Sequence, residues 1–257
     1  MENFAEILKL YAFIFSLLAT GYYFIPVSAW YYIFFIRKRE KWNYMRVQDG
    51  FPGRKQILRE IKYSALSIAI FSIIALLLVL EIRKGYTLVY FKISDYGIVY
   101  FLVSPLIAFV IHDTLFYWTH RFMHLKKVFR FIHLVHHKST NPTPFSIYAF
   151  QPGEALIQSS IYPVILHMLP MHPAMLGFFM AYNMFINLAG HGGFEFMAPG
   201  FRRHWLFRWQ NSVTNHDLHH TKFKCNFGFY FTFWDRIMHT LEEKENRDGK
   251  DARSVCG

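Results

Sequence analysis

The chain is short of the residues that several common chemistries need. It has two cysteines in 257 residues, Cys225 and Cys256, and neither belongs to a C-x-x-C pair. That argues against a disulfide framework and against thiolate zinc sites. No H-E-x-x-H occurs, so a zinc protease of the usual kind lacks its base. No G-x-S-x-G and no G-x-G-x-x-G occur either, which removes a serine-hydrolase elbow and a dinucleotide fingerprint. Any electrons consumed must then come from another protein. Acidic residues are scarce, 17 against 28 Lys and Arg, for a net charge of +11. No nucleic-acid motif accompanies that charge, so nucleic acid is not an expected partner. The basic residues instead flank apolar runs, as in R-K-R-E-K at 37–41 followed by Arg46, Arg54, Lys55, Arg59 and Lys62. This is the positive-inside signature, reinforced by attraction to anionic headgroups.

Apolar and aromatic residues fill the space left by charge. The chain is 53% hydrophobic and 20% aromatic, with 29 Phe and 16 Tyr. A bilayer crossing takes about 20 mostly apolar residues. Runs of that kind cover 5–36, 63–82, 97–118, and a pair at 155–169 and 174–188. The first is long for one crossing and contains Pro26, which predicts a kink there or a continuation along the interface. The start, M-E-N-F-A-E-I-L-K, has no basic region before its apolar run and reads as a retained membrane segment. Few segments read as strands. The expectation is an all-α integral membrane protein with about four to five membrane helices and a cytosolic helical cap. It forms a single domain over 1–257, with a charged, flexible tail at 242–257. With 37–62 in the cytoplasm, the third run delivers its C-terminal end to the same side. The hairpin at 155–188 turns at Pro170, His172 and Pro173 and returns there too.

Histidine names the chemistry. Eight of the 14 histidines fall in three clusters, H-R-F-M-H (His120, His124), H-L-V-H-H (His133, His136, His137) and H-D-L-H-H (His216, His219, His220). Residues three and four apart share a helix face, so each cluster aims its imidazoles at one point. Imidazole suits Zn, Cu, Fe and Ni. Eight such ligands exceed one ion and suit two. The charge-based topology puts all three clusters on the cytoplasmic side without reference to histidine. His191 ends the fifth run on that side and joins the expected ligand set. His112 and His204 are left open, whereas His167, His172 and His239 stand alone and read as structural or interfacial. Asp113 and Tyr117 share a stripe with His120 and His124. An acid at that depth is costly unless it has a role, and a metal-bound imidazole usually passes its second N–H to a carboxylate or carbonyl. Asp113 is the candidate for that contact. A membrane zinc-binding protein and a metallohydrolase remain as alternatives; the latter would draw its base from Glu154, Glu195, Asp217 or Asp235.

The motifs, in this order and spacing, resemble the fatty acid hydroxylase superfamily, which includes sterol desaturases and lipid hydroxylases. D-T-L-F-Y-W-T-H-R-F-M-H looks like its first box, and N-H-D-L-H-H-T-K-F-K-C-N-F-G-F-Y-F-T-F-W-D-R its last, so the likeness covers about 95–245. The resemblance implies two Fe ions at the histidines and O2 as co-substrate. It implies oxidation of an unactivated C–H bond of a lipid, of sterol or fatty-acyl type, to an alcohol or an alkene. Zinc could occupy the site in purified protein, because Zn²⁺ binds N/O/S ligands more tightly than Fe²⁺. The chain has no segment to spare for a fused cytochrome b5-like domain. A separate electron donor, cytochrome b5- or ferredoxin-like with its reductase, is therefore expected. The aromatic residues Phe116, Trp118, Phe122, Phe145, Tyr148, Phe150 and Trp234 are candidates to line an apolar substrate cavity.

Overall fold

The structure is a computed structural model that describes residues 3–198, 204, 205 and 207–243. The tail expected to be flexible falls outside these from residue 244, as does Cys256. Among the described residues the architecture is helical, with isolated bridges but no strand. Three helices are long and apolar enough to cross a membrane: α1 (Phe4–Arg37), α2 (Arg54–Arg83) and α3 (Gly97–Met123).

Helix α1 does not break at Pro26. It runs through, and its turns widen on either side, over Leu17–Phe24 and Tyr32–Arg37. In the wide turn just before the proline, the Ile25 N–H bonds back to the Thr20 carbonyl, five residues away. Such π-wound turns shift the hydrogen-bond register, so a residue with no N–H and a bulky ring is accommodated within the helix. Helix α2 begins nine residues before its apolar run. Those extra turns are polar, which hydropathy does not register, and they carry the buried Glu60. Ser64, Ser67 and Ser72 are buried along α2. Small side chains of this kind let neighbouring backbones approach closely, and Ser64 Oγ donates to the Phe145 carbonyl at 2.8 Å.

The expected hairpin is present as α6 (Pro152–Met168) and α7 (Pro173–His191). Each starts with proline, at the position whose N–H would be unpaired anyway. His172 caps α7, its Nδ1 accepting from the Ala174 N–H at 3.2 Å. At 1.5 Å rise per residue, these 17- and 19-residue helices are about 25 and 28 Å long, near or below the thickness of a bilayer core of about 30 Å. Among the described residues four shorter α-helices complete the set: α4 (Lys126–Ile132) and α5 (Leu134–His137) between α3 and α6, and α8 (Val213–Lys222) and α9 (Phe233–Ile237) after α7.

Two apolar clusters hold the assembly. One joins α1, α2 and the 144–148 turn around Tyr23, Val27, Ile68 and Ile147. The other joins α3, α6 and α7 around Phe109, Ile161, Leu166 and Phe179, and takes in Tyr230 from beyond α8. Long-range backbone bonds tie the 38–53 connection to the end of α7: Val47 N–H to the Gly193 carbonyl at 3.2 Å and Glu195 N–H to the Met45 carbonyl at 2.8 Å.

Candidate metal centre

All nine histidines of the expected ligand set converge. They form two adjacent groups: His120, His124, His133, His137 and His219, and His136, His191, His216 and His220. Within each group the ligand nitrogens lie within 4.8 Å of one another. Four elements deliver them. His120 lies in the last turn of helix α3, and His124 caps it. His133 precedes α5, which carries His136 and His137. His191 is the last residue of α7. Helix α8 presents His216, His219 and His220 within one turn. Its start is capped by Ser212, whose Oγ accepts from the Asn215 N–H at 3.1 Å. Its end is marked by Phe223 in the left-handed region, φ 66°.

The nitrogens that meet are Nε2 atoms. In the first group, Nε2 of His120 lies 3.0 Å from that of His133. Nε2 of His137 is 3.1 Å from those of His124, His133 and His219. In the second group, His191 is 3.0 Å from His216 and 3.4 Å from His136, and His216 is 3.1 Å from His220. Two ligands at right angles about an ion at about 2.1 Å, a usual imidazole–metal distance, lie about 3.0 Å apart.

The opposite nitrogens explain why hydrogen bonding does not account for these contacts. His120 Nδ1 donates to the Phe227 carbonyl at 2.9 Å, His219 Nδ1 to the Cys225 carbonyl at 2.7 Å, and His191 Nδ1 to the Asn187 carbonyl at 3.0 Å. His133 Nδ1 lies 2.7 Å from the Glu154 carboxylate, with both side chains almost wholly buried. A neutral imidazole that spends its proton on Nδ1 has only a lone pair on Nε2. Nε2 of His120 is then a bare acceptor, as is that of His133 when its proton faces an ionised Glu154, and a cation between two such nitrogens resolves the repulsion. Burial first, and then the neighbouring imidazoles, holds His133, His136, His137, His216, His219 and His220 well below the ordinary histidine value. They are therefore neutral, the form that binds metal. The residues present fit a pair of imidazole-bound ions.

Asp113 and Tyr117 lie elsewhere than expected. Asp113 does not reach an imidazole. Its Oδ1 accepts from the backbone N–H groups of Phe229, Tyr230 and Phe231 at 3.2, 2.7 and 3.2 Å. Tyr117 bonds to Thr240 Oγ1 at 2.9 Å, and Thr240 Oγ1 donates to Asp235 at 2.7 Å. Asp235 in turn accepts from the N–H groups of Phe227 and Gly228 at 2.9 and 2.8 Å. Burial raises its carboxyl to about 6, although Thr240 and those two N–H groups pull the other way. Both acids thus hold the 227–231 turn, whose Phe227 carbonyl orients His120. Gly228 is required there, because a Cβ would strike the Phe231 carbonyl.

Glu154 takes the role foreseen for Asp113. It lies 21 residues from His133, too far for any helical periodicity to connect them, and only its acidity at the start of an apolar run marked it. Glu60 was also missed. It accepts from Gln56 at 2.8 Å and from Thr143, and so anchors the segment that follows α5. The other acids weighed as hydrolytic bases are similarly engaged. Glu195 accepts from the N–H and Oγ1 of Thr214 at 3.0 and 2.9 Å, and Asp217 accepts from Gln48. His112 and His204 lie outside both histidine groups.

A cavity of about 320 Å³ descends between α1, α2, α3, α6 and α7 to the histidines, reaching His120, His133, His136, His191 and His216. Of the aromatic residues expected to line it, Phe116, Tyr148 and Phe150 do. Phe145 is buried in the core, Trp118 and Phe122 face outward, and Trp234 stacks on Tyr117.

The fatty acid hydroxylase family profile matches residues 105–240, just over half of the chain, which therefore belongs to that family. Among similar proteins, the Delta(7)-sterol 5(6)-desaturase ERG3B of Gibberella zeae is 33% identical over 213 residues, covering 83% of this chain and 62% of that protein. Lathosterol oxidase of Mus musculus is 32% identical over 204 residues, 78% of this chain and 66% of that protein. The human lathosterol oxidase is 28% identical over 232 residues, 89% of this chain and 73% of that protein. The chain spans 62% and 66% of the first two, just under two thirds. No solved structure matches it.

Proposed function

We propose that the chain is an O2-dependent membrane oxidoreductase that desaturates or hydroxylates a lipid at a pair of iron ions, with a sterol as substrate. The observation that carries this reading is the meeting of Nε2 atoms at 3.0–3.1 Å in two groups, with those of His120, His191 and His219 left as bare acceptors, at the floor of an apolar cavity. Names of the similar proteins, sterol desaturase and lathosterol oxidase, support the substrate class and the kind of reaction.

Iron bound by these imidazoles would supply the activation of O2 and the removal of hydrogen from an unactivated C–H bond. The chain's own residues place and protect that chemistry. His120, His191 and His219 are locked by backbone carbonyls, and His133 by Glu154, so each keeps its lone pair aimed inward. Asp113 and Asp235 fix the 227–231 turn and with it the His120 ring. Apolar walls from α1 and α2 keep water from the reacting carbon and accept a hydrocarbon skeleton. Electrons come from a separate donor, cytochrome b5- or ferredoxin-like with its reductase.

The reading is tested with apo protein reconstituted anaerobically with Fe²⁺, then given reductant, O2 and lathosterol. Mass spectrometry should show loss of two hydrogens or gain of one oxygen atom, only when O2 is present. Turnover with zinc and none with iron would overturn it in favour of a hydrolase. The basic 37–62 connection supports a cytoplasmic position for the site. A cysteine replacing Lys138 should then react with a membrane-impermeant thiol reagent only after the cytoplasmic face is opened; labelling of intact cells would invert the topology.

A further inference from the structure

Among the unpartnered polar atoms of the cavity wall, one lies away from both histidine groups. His112 sits on α3 eight residues before His120, two turns or about 12 Å deeper at 1.5 Å per residue. It is 4% exposed and lines the same cavity as the metal-facing histidines. Its Nε2 meets Asn183 Nδ2 at 3.2 Å, and the same amide nitrogen donates to the Tyr230 hydroxyl at 2.7 Å. Its Nδ1 is buried and unpaired. Aromatic rings close around it, among them Phe116, Tyr162 and Phe179, and none offers an acceptor in reach. A buried polar atom left unpaired is costly, and here the ring that carries it lines the space that admits the substrate.

We propose that His112, oriented by Asn183, is a positioning residue that hydrogen-bonds the hydroxyl group of an uncharged lipid alcohol and so sets which carbon reaches the metal end of the cavity. This rests on the reading of the cavity as the lipid site. With Asn183 donating to Nε2, the ring proton lies on Nδ1 and the alcohol oxygen accepts it. With the amide turned over, Nδ1 is a bare acceptor and the alcohol donates. An alcohol satisfies the site in either arrangement, and a hydrocarbon in neither. Among the described residues no Lys or Arg lines the cavity, so a carboxylate or phosphate would enter it without a counter-charge from them. That selects a neutral alcohol over a free fatty acid or a phospholipid head.

The experiment measures equilibrium binding to the full chain in nanodiscs, with two matched pairs of probes: lathosterol with its 3-deoxy counterpart, and octadecan-1-ol with octadecane. Wild-type protein should prefer the alcohol of a pair by about tenfold, equivalent to about 1.4 kcal/mol. His112→Phe should reduce that preference to under about twofold while metal content stays unchanged, and His112→Gln, which can still hydrogen-bond, should restore part of it. If His112→Phe fails to fold, Asn183→Leu with its own preference measurement takes its place. An alcohol preference that survives in the Phe variant, or in Asn183→Leu where that stands in, overturns the proposal and leaves the sterol reading intact. A His112-dependent preference for octadecan-1-ol without binding of lathosterol overturns the sterol reading and upholds the role of His112. Wild-type protein that binds neither pair overturns both.

Discussion

Replacing Glu154 isolates the least expected contact of the centre. Its carboxylate lies 2.7 Å from His133 Nδ1, and the side chains of the pair are 1% and 2% exposed. With a cation on Nε2 polarising the ring and Glu154 ionised, this contact would act as a hydrogen bond to a charged group, which contributes about 1.5–3 kcal/mol, corresponding to about 10- to 150-fold in an equilibrium constant. Loss of an outer carboxylate partner typically lowers metal affinity by about 10–100-fold. The two estimates coincide, because the bond's strength is expressed through how well it fixes the His133 ring. Glu154→Gln keeps an oxygen acceptor but loses its charge, and charged hydrogen bonds are about twice as strong as neutral ones. It should therefore weaken metal binding by about tenfold, whereas Glu154→Ala leaves Nδ1 unpaired and should approach a hundredfold. Chelator competition followed by metal analysis measures both. Equal affinity in wild type and both variants would refute the reasoning, and so would a larger loss in Gln than in Ala.

Three further outcomes follow from the geometry. His219→Ala should remove one ion per chain and keep the second, since His219 belongs to one group only; metal analysis showing both ions retained would dissolve the partition. Acidification should release metal and lower the unfolding temperature. The buried imidazoles are held below their ordinary value of about 6.5, so below that pH the unfolded chain takes up protons that the folded one does not; stability present above about pH 6.5 is then lost as pH falls. A melting temperature flat from about pH 8 to about pH 5 would contradict this. Gly228→Ala forces a Cβ against the Phe231 carbonyl. It should destabilise by about 1–3 kcal/mol, the usual cost of local strain, and an unchanged melting temperature would show that the turn can yield.

The sequence alone was enough to name eight of the nine converging histidines, because their spacing is local, and His191 followed from the topology of its apolar run. Positions three and four apart meet on one helical turn whatever the rest of the fold does. Apolar runs marked the long helices for a similar reason, although the polar first turns of α2 lay beyond what hydropathy registers. Local spacing has nothing to say about segments that meet from afar. Tertiary packing sorted the histidines into five and four, so that H-L-V-H-H and H-D-L-H-H each divide between the two groups and neither box makes a site by itself. It carried Asp113 to a turn 116 to 118 residues away, and set Glu154 behind His133 where an acid on α3 had been expected. It also left His112 without a partner for Nδ1, a feature that exists only because Asn183, Tyr162 and Phe179 close around it. Ligand identity is written in the periodicity of one helix at a time; the orientation of each ligand and the shape above it depend on how the helices pack.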